Sequence, residues 1–71
     1  MIKIIKLKDV NIGDKIRIVD VSKIEDGDGL WEDGEIVEVV AVDLNKKLLE
    51  VTCREFSEYI HAREFDAIEI I

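Results

Sequence analysis

The stretch that decides the fold is GEIVEVVAVDLNKKLLEVTC, residues 34–53. Residues 35–42 are almost continuously apolar and rich in valine, which is typical of a central strand covered on both faces. The polar run 43–47 predicts a tight hairpin, after which residues 48–53 return with Leu49, Val51 and Cys53 on one face. The stretch therefore predicts two neighbouring antiparallel strands joined by a short turn.

Upstream of this hairpin, KIRIVDV at residues 15–21 alternates apolar and polar positions at its start. The alternation predicts a strand that buries Ile16 and Ile18 and exposes their basic neighbours. Residues 1–8 predict an additional N-terminal edge strand, protected by its lysines from pairing with other chains. Between these strands and the central hairpin, residues 22–34 predict a long loop that holds the only tryptophan.

Downstream, residues 54–66 allow two interpretations. Three apolar side chains at helical spacing permit one or two helical turns. Alternatively, residues 59–62 form a strand and residues 63–66 a 3₁₀ turn that leads into a last strand at 67–71. We favour the second, because the strand count then closes a small barrel and hides its edges. The predicted core positions are Ile16, Ile18, Val37, Val39, Leu49, Val51, Ile68 and Ile70.

Length and composition predict one domain spanning residues 1–71, since 71 residues with 48% hydrophobic content suffice for a single core. The chain has one cysteine, Cys53, and one histidine, His61, so it offers no intrachain disulfide and too few ligands for a zinc site. No apolar run is long enough for a signal peptide or a membrane span. We expect a cytoplasmic protein without a cofactor or a bound metal.

The formal net charge of −7 is unevenly distributed. Residues 1–23 carry six basic and three acidic side chains, whereas residues 24–71 carry four basic and fourteen acidic ones. Such a chain is repelled from nucleic acid and from anionic membranes, so its expected partner is a protein with a basic or neutral surface. The competing interpretation is that the acids only keep a small hydrophobic domain in solution.

Residues 10–19, 34–42 and 48–52, with a turn before the last strand, together resemble a small SH3-like barrel of the KOW/Tudor type. The resemblance covers roughly residues 9–71 and implies an all-β, five-stranded antiparallel barrel with a short 3₁₀ or helical turn before the last strand. It implies no particular activity, because this architecture hosts many unrelated functions. The aromatic grooves and basic loops of members that bind peptides or nucleic acid have no counterpart in this sequence. The short acidic chain also resembles small bacterial or phage-encoded proteins.

The acidic loop, residues 24–35, is the candidate binding surface. An apolar pair at its centre is surrounded by carboxylates, an arrangement that suits a contact with a basic protein surface. The opposite interpretation is that the tryptophan folds into the core while the acids stay solvated. A calcium site is not expected, because the fifth and sixth positions counted from the first aspartate are apolar. The candidate contact residues are Asp26, Asp28, Leu30, Trp31, Glu32 and Asp33.

No arrangement of residues predicts catalysis. Cys53 and His61 could be imagined as a nucleophile and a base, but a cysteine on an apolar strand face is more often buried and inert. We therefore expect a non-catalytic protein-interaction module, a small accessory protein or an inhibitor. The N-terminal strand also offers an edge for pairing with a second copy.

A second class of function is a nucleic-acid-associated accessory barrel that uses the basic first strands. The arrangement of the charges distinguishes the two classes. A face of basic residues free of acids favours nucleic acid, and a face on which acids interleave with them favours a protein partner. The basic residues concerned are Lys3, Lys6, Lys8, Lys15 and Arg17.

Overall fold

The computed structural model describes residues 2–3, 6–25, 27–53 and 56–71, and at positions 2, 3, 53 and 56 the description covers the backbone alone. The strands are β1 (Ile2–Lys3), β2 (Lys15–Ile18), β3 (Ile36–Asp43), β4 (Leu48–Cys53), β5 (Phe56–His61) and β6 (Ile68–Ile70). The helical segments are α1 (Gly27–Leu30) and three 3₁₀ turns at Leu7–Asp9, Val21–Lys23 and Ala62–Ala67. The prediction of a mostly β domain is confirmed.

The strands form one antiparallel sheet in the order β1-β6-β2-β3-β4-β5. Five of them are the predicted strands, and β1 is the predicted addition at the N-terminus. The sequence predicted a closed barrel, but the sheet is open between β1 and β5 within the described residues. The reason is that β6 pairs with β1 on one side and with β2 on the other, so it has no edge left for β5.

A β-bulge shapes the central strand. Val37 and Val39 of β3 are buried, as the alternation predicted, and the register with β4 shifts between Val39 and Ala41. Residues three apart in a regular strand point to opposite faces, so Val42 could not follow Val39 into the core without such a shift. With the bulge, Val42 packs against the core beside Leu49 of β4.

The core lies on one face of this sheet and extends into the connecting segments. Seven of the eight predicted core positions are buried, and the eighth, Ile70, is partly buried and packs against the others. Six further apolar residues complete the buried cluster, and only one of them lies in a strand. They are Val10, Ile24, Trp31, Ile60, Phe65 and Ala67.

Three segments can be compared with the secondary structure that the sequence predicted for them. Of the predicted N-terminal strand 1–8, the described part is strand at Ile2–Lys3 and a 3₁₀ turn at Leu7–Asp9. The predicted loop 22–34 contains α1, which is held by contacts with the core and is too short to form alone. The preferred interpretation of the C-terminal region, a strand followed by a 3₁₀ turn, is confirmed by β5 and residues 62–67. Among the described residues no helix is both long and apolar enough to cross a membrane.

Candidate protein-interaction surface

The acidic loop is fastened to the body of the protein at both of its ends. At its start, the Gly27 N–H donates to the Ile24 carbonyl at 2.9 Å, and the Ile24 side chain is buried. At its end, the Gly34 N–H donates to the Ile18 carbonyl at 2.6 Å. Gly34 has a positive φ of 89°, a conformation that glycine adopts without steric cost. The loop therefore presents its exposed side chains from a fixed backbone.

Trp31 lies in the core, which is the second of the two interpretations that the sequence allowed. Its side chain is 3% exposed and belongs to the core cluster. Its backbone N–H donates to the Gly27 carbonyl at 2.8 Å. The prediction that Trp31 is a surface contact residue is therefore wrong. Burying its large indole ring stabilises the fold more than leaving the ring in solvent would. Leu30 is partly buried and packs against the same core. Of the predicted apolar contact pair, neither member projects fully into solvent.

The indole N–H of Trp31 is buried and has no hydrogen-bond partner among the described residues. A buried donor without an acceptor costs about 1–3 kcal/mol. The apolar ring must recover this cost through its packing. Trp31 thus acts as the anchor that holds the loop to the core.

The acids of the loop differ in how they are used. Asp33 accepts a hydrogen bond from the Val21 N–H at 2.9 Å, so it closes the loop. Asp28 and Glu32 are exposed, and their carboxylates have no hydrogen bond or ion pair within the described part of the chain. They line a hollow of about 160 Å³ together with Gly29, Leu30 and Trp31. Asp26, the remaining candidate, lies outside the described residues.

A buried carboxylate joins this loop to the corner after β5. Glu64 is 4% exposed, and its Oε2 accepts the Glu25 N–H at 2.7 Å while its Oε1 accepts the His61 N–H at 2.9 Å. Arg63 in the same corner pairs with the Glu25 carboxylate at 3.2 Å. These contacts fix the position of the acidic loop relative to β5.

A second hydrogen-bonded acid lies just before the loop. Asp20 precedes the 3₁₀ turn at Val21–Lys23, and its Oδ1 accepts from both the hydroxyl and the N–H of Ser22, at 2.6 and 3.0 Å. These two hydrogen bonds, with a smaller contribution from the charge of Lys23, lower the pKa of Asp20 below its ordinary value. Asp20 therefore stays charged at neutral pH and stabilises this turn.

Acids interleave with the basic residues of the first strands. Lys15 forms an ion pair with Glu38 of the neighbouring strand, and Arg17 lies directly opposite Glu69 in the register of β2 and β6. Lys3 is also opposite Glu69, on the other side of β6. A phosphate backbone needs several uncompensated cations on one face. Two acids, Glu38 and Glu69, therefore lie beside the three basic residues of the described sheet, while Lys6 and Lys8 lie outside its strands.

The structure also contains a hollow that no sequence pattern predicted. A groove of about 590 Å³ lies on the face of β3, β4 and β5 opposite the core, beside the hairpin at residues 43–47. Leu44 and Tyr59 in its wall are 63% and 55% exposed, and Glu50 lies between Ala41 and Tyr59 in the register. The alternation of β4 is enough to predict that Glu50 lies on the face opposite the core. The position of Tyr59 beside Glu50 depends on how β5 pairs with β4, which the sequence does not show.

Cys53 and His61, the residues considered as a nucleophile and a base, do not form a catalytic pair among the described side chains. His61 Nδ1 lies 3.4 Å from the Glu64 carboxylate, and the side chain of Cys53 lies outside the described residues. Among the described residues, no group of three or more His, Cys, Asp or Glu side chains is arranged to hold a metal ion. The charged loop and the groove are therefore the features that suggest a function.

No family model, curated protein or solved structure matches this chain.

Proposed function

We propose that this chain is a non-catalytic, cytoplasmic protein-interaction module or small inhibitor that binds a partner with a basic surface through the acidic loop. The observation that carries the proposal is the pair of exposed carboxylates of Asp28 and Glu32, which have no partner among the described residues, on a loop anchored by the buried Trp31. A fixed backbone lowers the entropy lost on binding, and unpaired carboxylates attract a basic surface. One variant of this function is an inhibitor that presents carboxylates to a nucleic-acid-binding protein.

We also infer that the fold is an open variant of the SH3-like barrel of the KOW/Tudor type, in which the two outer strands of the described sheet are not paired with each other. The support is the strand order β6-β2-β3-β4-β5, together with the 3₁₀ turn at residues 62–67 before the last strand. This inference concerns architecture and adds nothing to the choice of partner.

The test of the proposed function removes the two loop charges. We expect the chain carrying Asp28→Asn and Glu32→Gln to lose proteins that the unchanged chain captures from a lysate of its source cell, as identified by mass spectrometry. The control carries Asp9→Asn and Asp66→Asn, which removes the same charge from exposed positions outside the loop and also removes the 3.8 Å ion pair of Asp66 with Lys23. Equal loss in both variants would reduce the effect to net charge. Equal capture by all three proteins would contradict the proposal.

The alternative function, a nucleic-acid accessory, is tested by mobility shift. We expect no complex with duplex or single-stranded DNA at micromolar protein and physiological salt, because the acids beside the basic strand residues oppose phosphate. A salt-sensitive complex that disappears when Lys15 and Arg17 are changed to Glu would favour the nucleic-acid function instead.

A further inference from the structure

The outer edge of β5 has backbone groups available for pairing. The Ala62 N–H donates to the Lys47 carbonyl on the β4 side at 2.9 Å, whereas the His61 N–H turns away and donates to Glu64. Backbone groups alternate in direction along an antiparallel strand, so Ser57 and Tyr59 also direct their N–H and C=O groups away from β4. Within the described residues these groups have no backbone partner, and β5 is the last strand of the sheet.

This edge has few of the devices that usually prevent pairing. The sequence of β5, FSEYIH, contains no lysine and no proline, its one acidic side chain is Glu58, and the strand is six residues long. Edges of this length are templates for an added strand, and a cationic side chain on that strand would offset the charge of Glu58. The free edge of β5 is therefore suited to strand addition.

A hollow lies on each face of β5. The groove of about 590 Å³, which contains Glu50, is on the face opposite the core. A smaller hollow of about 170 Å³, lined in part by Glu58 and Glu64, is on the core-side face, because Glu58 is opposite the buried Val51. Tyr59 lines both hollows. Successive side chains of an added strand would point alternately into the two hollows.

Among the described residues, acidic side chains outnumber basic ones in both hollows, which favours a cationic occupant. The larger hollow is lined by Asp43 and Glu50 and by the cation Lys46, and the smaller one by Glu25, Glu58 and Glu64. The carboxylates of Glu50 and Glu58 are partly buried and have no partner within the described residues, so a lysine or arginine side chain would satisfy them. The exposed ring of Tyr59 between them can stabilise a cation through its π face. A second copy of this chain would instead bring the same carboxylates against each other.

We propose that the free edge of β5 binds an extended, lysine- or arginine-containing segment of a protein partner by strand addition, with its basic side chains entering the hollows of Glu50 and Glu58. The inference rests on the proposed function only for the basic character of the partner. It assigns that partner a conformation and a second contact surface, distinct from the carboxylates of the acidic loop.

The test uses a synthetic peptide that alternates threonine and lysine over about eight residues, the length of an ordinary strand. The peptide is titrated into the ¹⁵N-labelled full chain, and we expect the largest amide shifts at Ser57, Tyr59 and Glu50. Two control peptides probe the two parts of the inference. One carries glutamate in place of lysine, and the other is N-methylated at alternate backbone amides so that it cannot add as a strand. We expect neither control to bind measurably.

Variants of the chain test the same surface. Ser57→Pro removes an N–H at an edge position that tolerates proline, and we expect it to raise the Kd of the peptide at least about tenfold. Its matched control, Ser57→Ala, keeps the N–H and should bind as the unchanged chain does. Glu50→Gln combined with Glu58→Gln should raise the Kd about three- to tenfold. If Ser57→Pro does not fold, the N-methylated peptide still decides the question.

The outcomes separate this inference from the proposed function. If the peptide shifts only the amides of the acidic loop, or if its N-methylated form binds equally well, strand addition at β5 is wrong and the proposed function stands. If neither this peptide nor any basic protein binds the chain, both are wrong. A concentration-dependent dimer that Ser57→Pro abolishes, with no binding of the peptide, would identify a second copy as the occupant and would also overturn the inference.

Discussion

Changing Gly27 to alanine should destabilise the protein, although the same change two residues later should stabilise it. A Cβ atom on Gly27 would lie 2.5 Å from the Val21 carbonyl oxygen and 2.9 Å from the Ile24 Cβ. Close carbon–oxygen contacts are normally about 3.3–3.6 Å, so the backbone would have to move by roughly 1 Å. At Gly29, in the same helix, no atom of the described residues beyond its chain neighbours and the helix backbone lies within 4 Å of the added Cβ.

The magnitudes follow from these contacts. Replacing glycine by alanine in a compatible conformation stabilises by about 0.4–1 kcal/mol, which is the whole effect expected at Gly29. Forcing a methyl group into packed surroundings costs about 1–3 kcal/mol, so we expect a net loss of about 1–2 kcal/mol at Gly27. In a domain of this size about 1 kcal/mol shifts the Tm by about 4–8 °C. Thermal unfolding followed by circular dichroism measures both variants.

The opposite signs are the decisive result. If Gly27→Ala unfolds at the same temperature as Gly29→Ala or higher, the close approach of α1 to residues 21–24 is wrong. The anchored geometry of the acidic loop, on which the proposed function depends, would then lose its support.

Further predictions concern other groups of the described fold. Trp31→Ala should lower the free energy of unfolding in urea by about 3–5 kcal/mol. Trp31→Phe should lower it by less than about half of that, because phenylalanine keeps an apolar ring and removes the buried indole N–H. Equal losses in the two variants would contradict the interior position of Trp31. NMR titration should give Asp20 a pKa below the ordinary aspartate value, restored by Ser22→Ala. The stabilisation from Asp20 is accordingly present at neutral pH and is lost as the pH falls through the lowered pKa, below about pH 4. The thiol of Cys53 should react slowly with a thiol reagent in the native protein and quickly in denaturant, and equal rates would mean that the strand phase of residues 48–53 is wrong.

The strands were predictable where the pattern is local. Alternation is sufficient to identify the buried face of β2, and a polar run between two valine-rich segments identifies the turn at residues 43–47. The bulge at Val39 was not predictable, because it depends on how β4 packs. Phe65 and Ala67 join the core from a 3₁₀ turn, in which side chains follow no strand or amphipathic-helix period.

The candidate surface was predictable in part. The carboxylates of the loop are visible in the sequence, but whether Trp31 faces solvent depends on the core space available to it, which no local pattern records. The hollows beside β5 depend on the pairing of Glu50 with Tyr59. That pairing could not be assigned while residues 54–66 allowed both a helix and a strand.

The buried carboxylate of Glu64 has a consequence for how the molecule opens. Its two oxygens hold the amide of Glu25 in the loop and the amide of His61 at the end of β5, which are distant in sequence. Breaking either bond alone would leave a buried acceptor only partly satisfied, so separating one segment while the other stays in place costs free energy. The acidic loop and the corner after β5 should consequently belong to one cooperative unit, and their two amides should exchange with solvent deuterium through a common opening event.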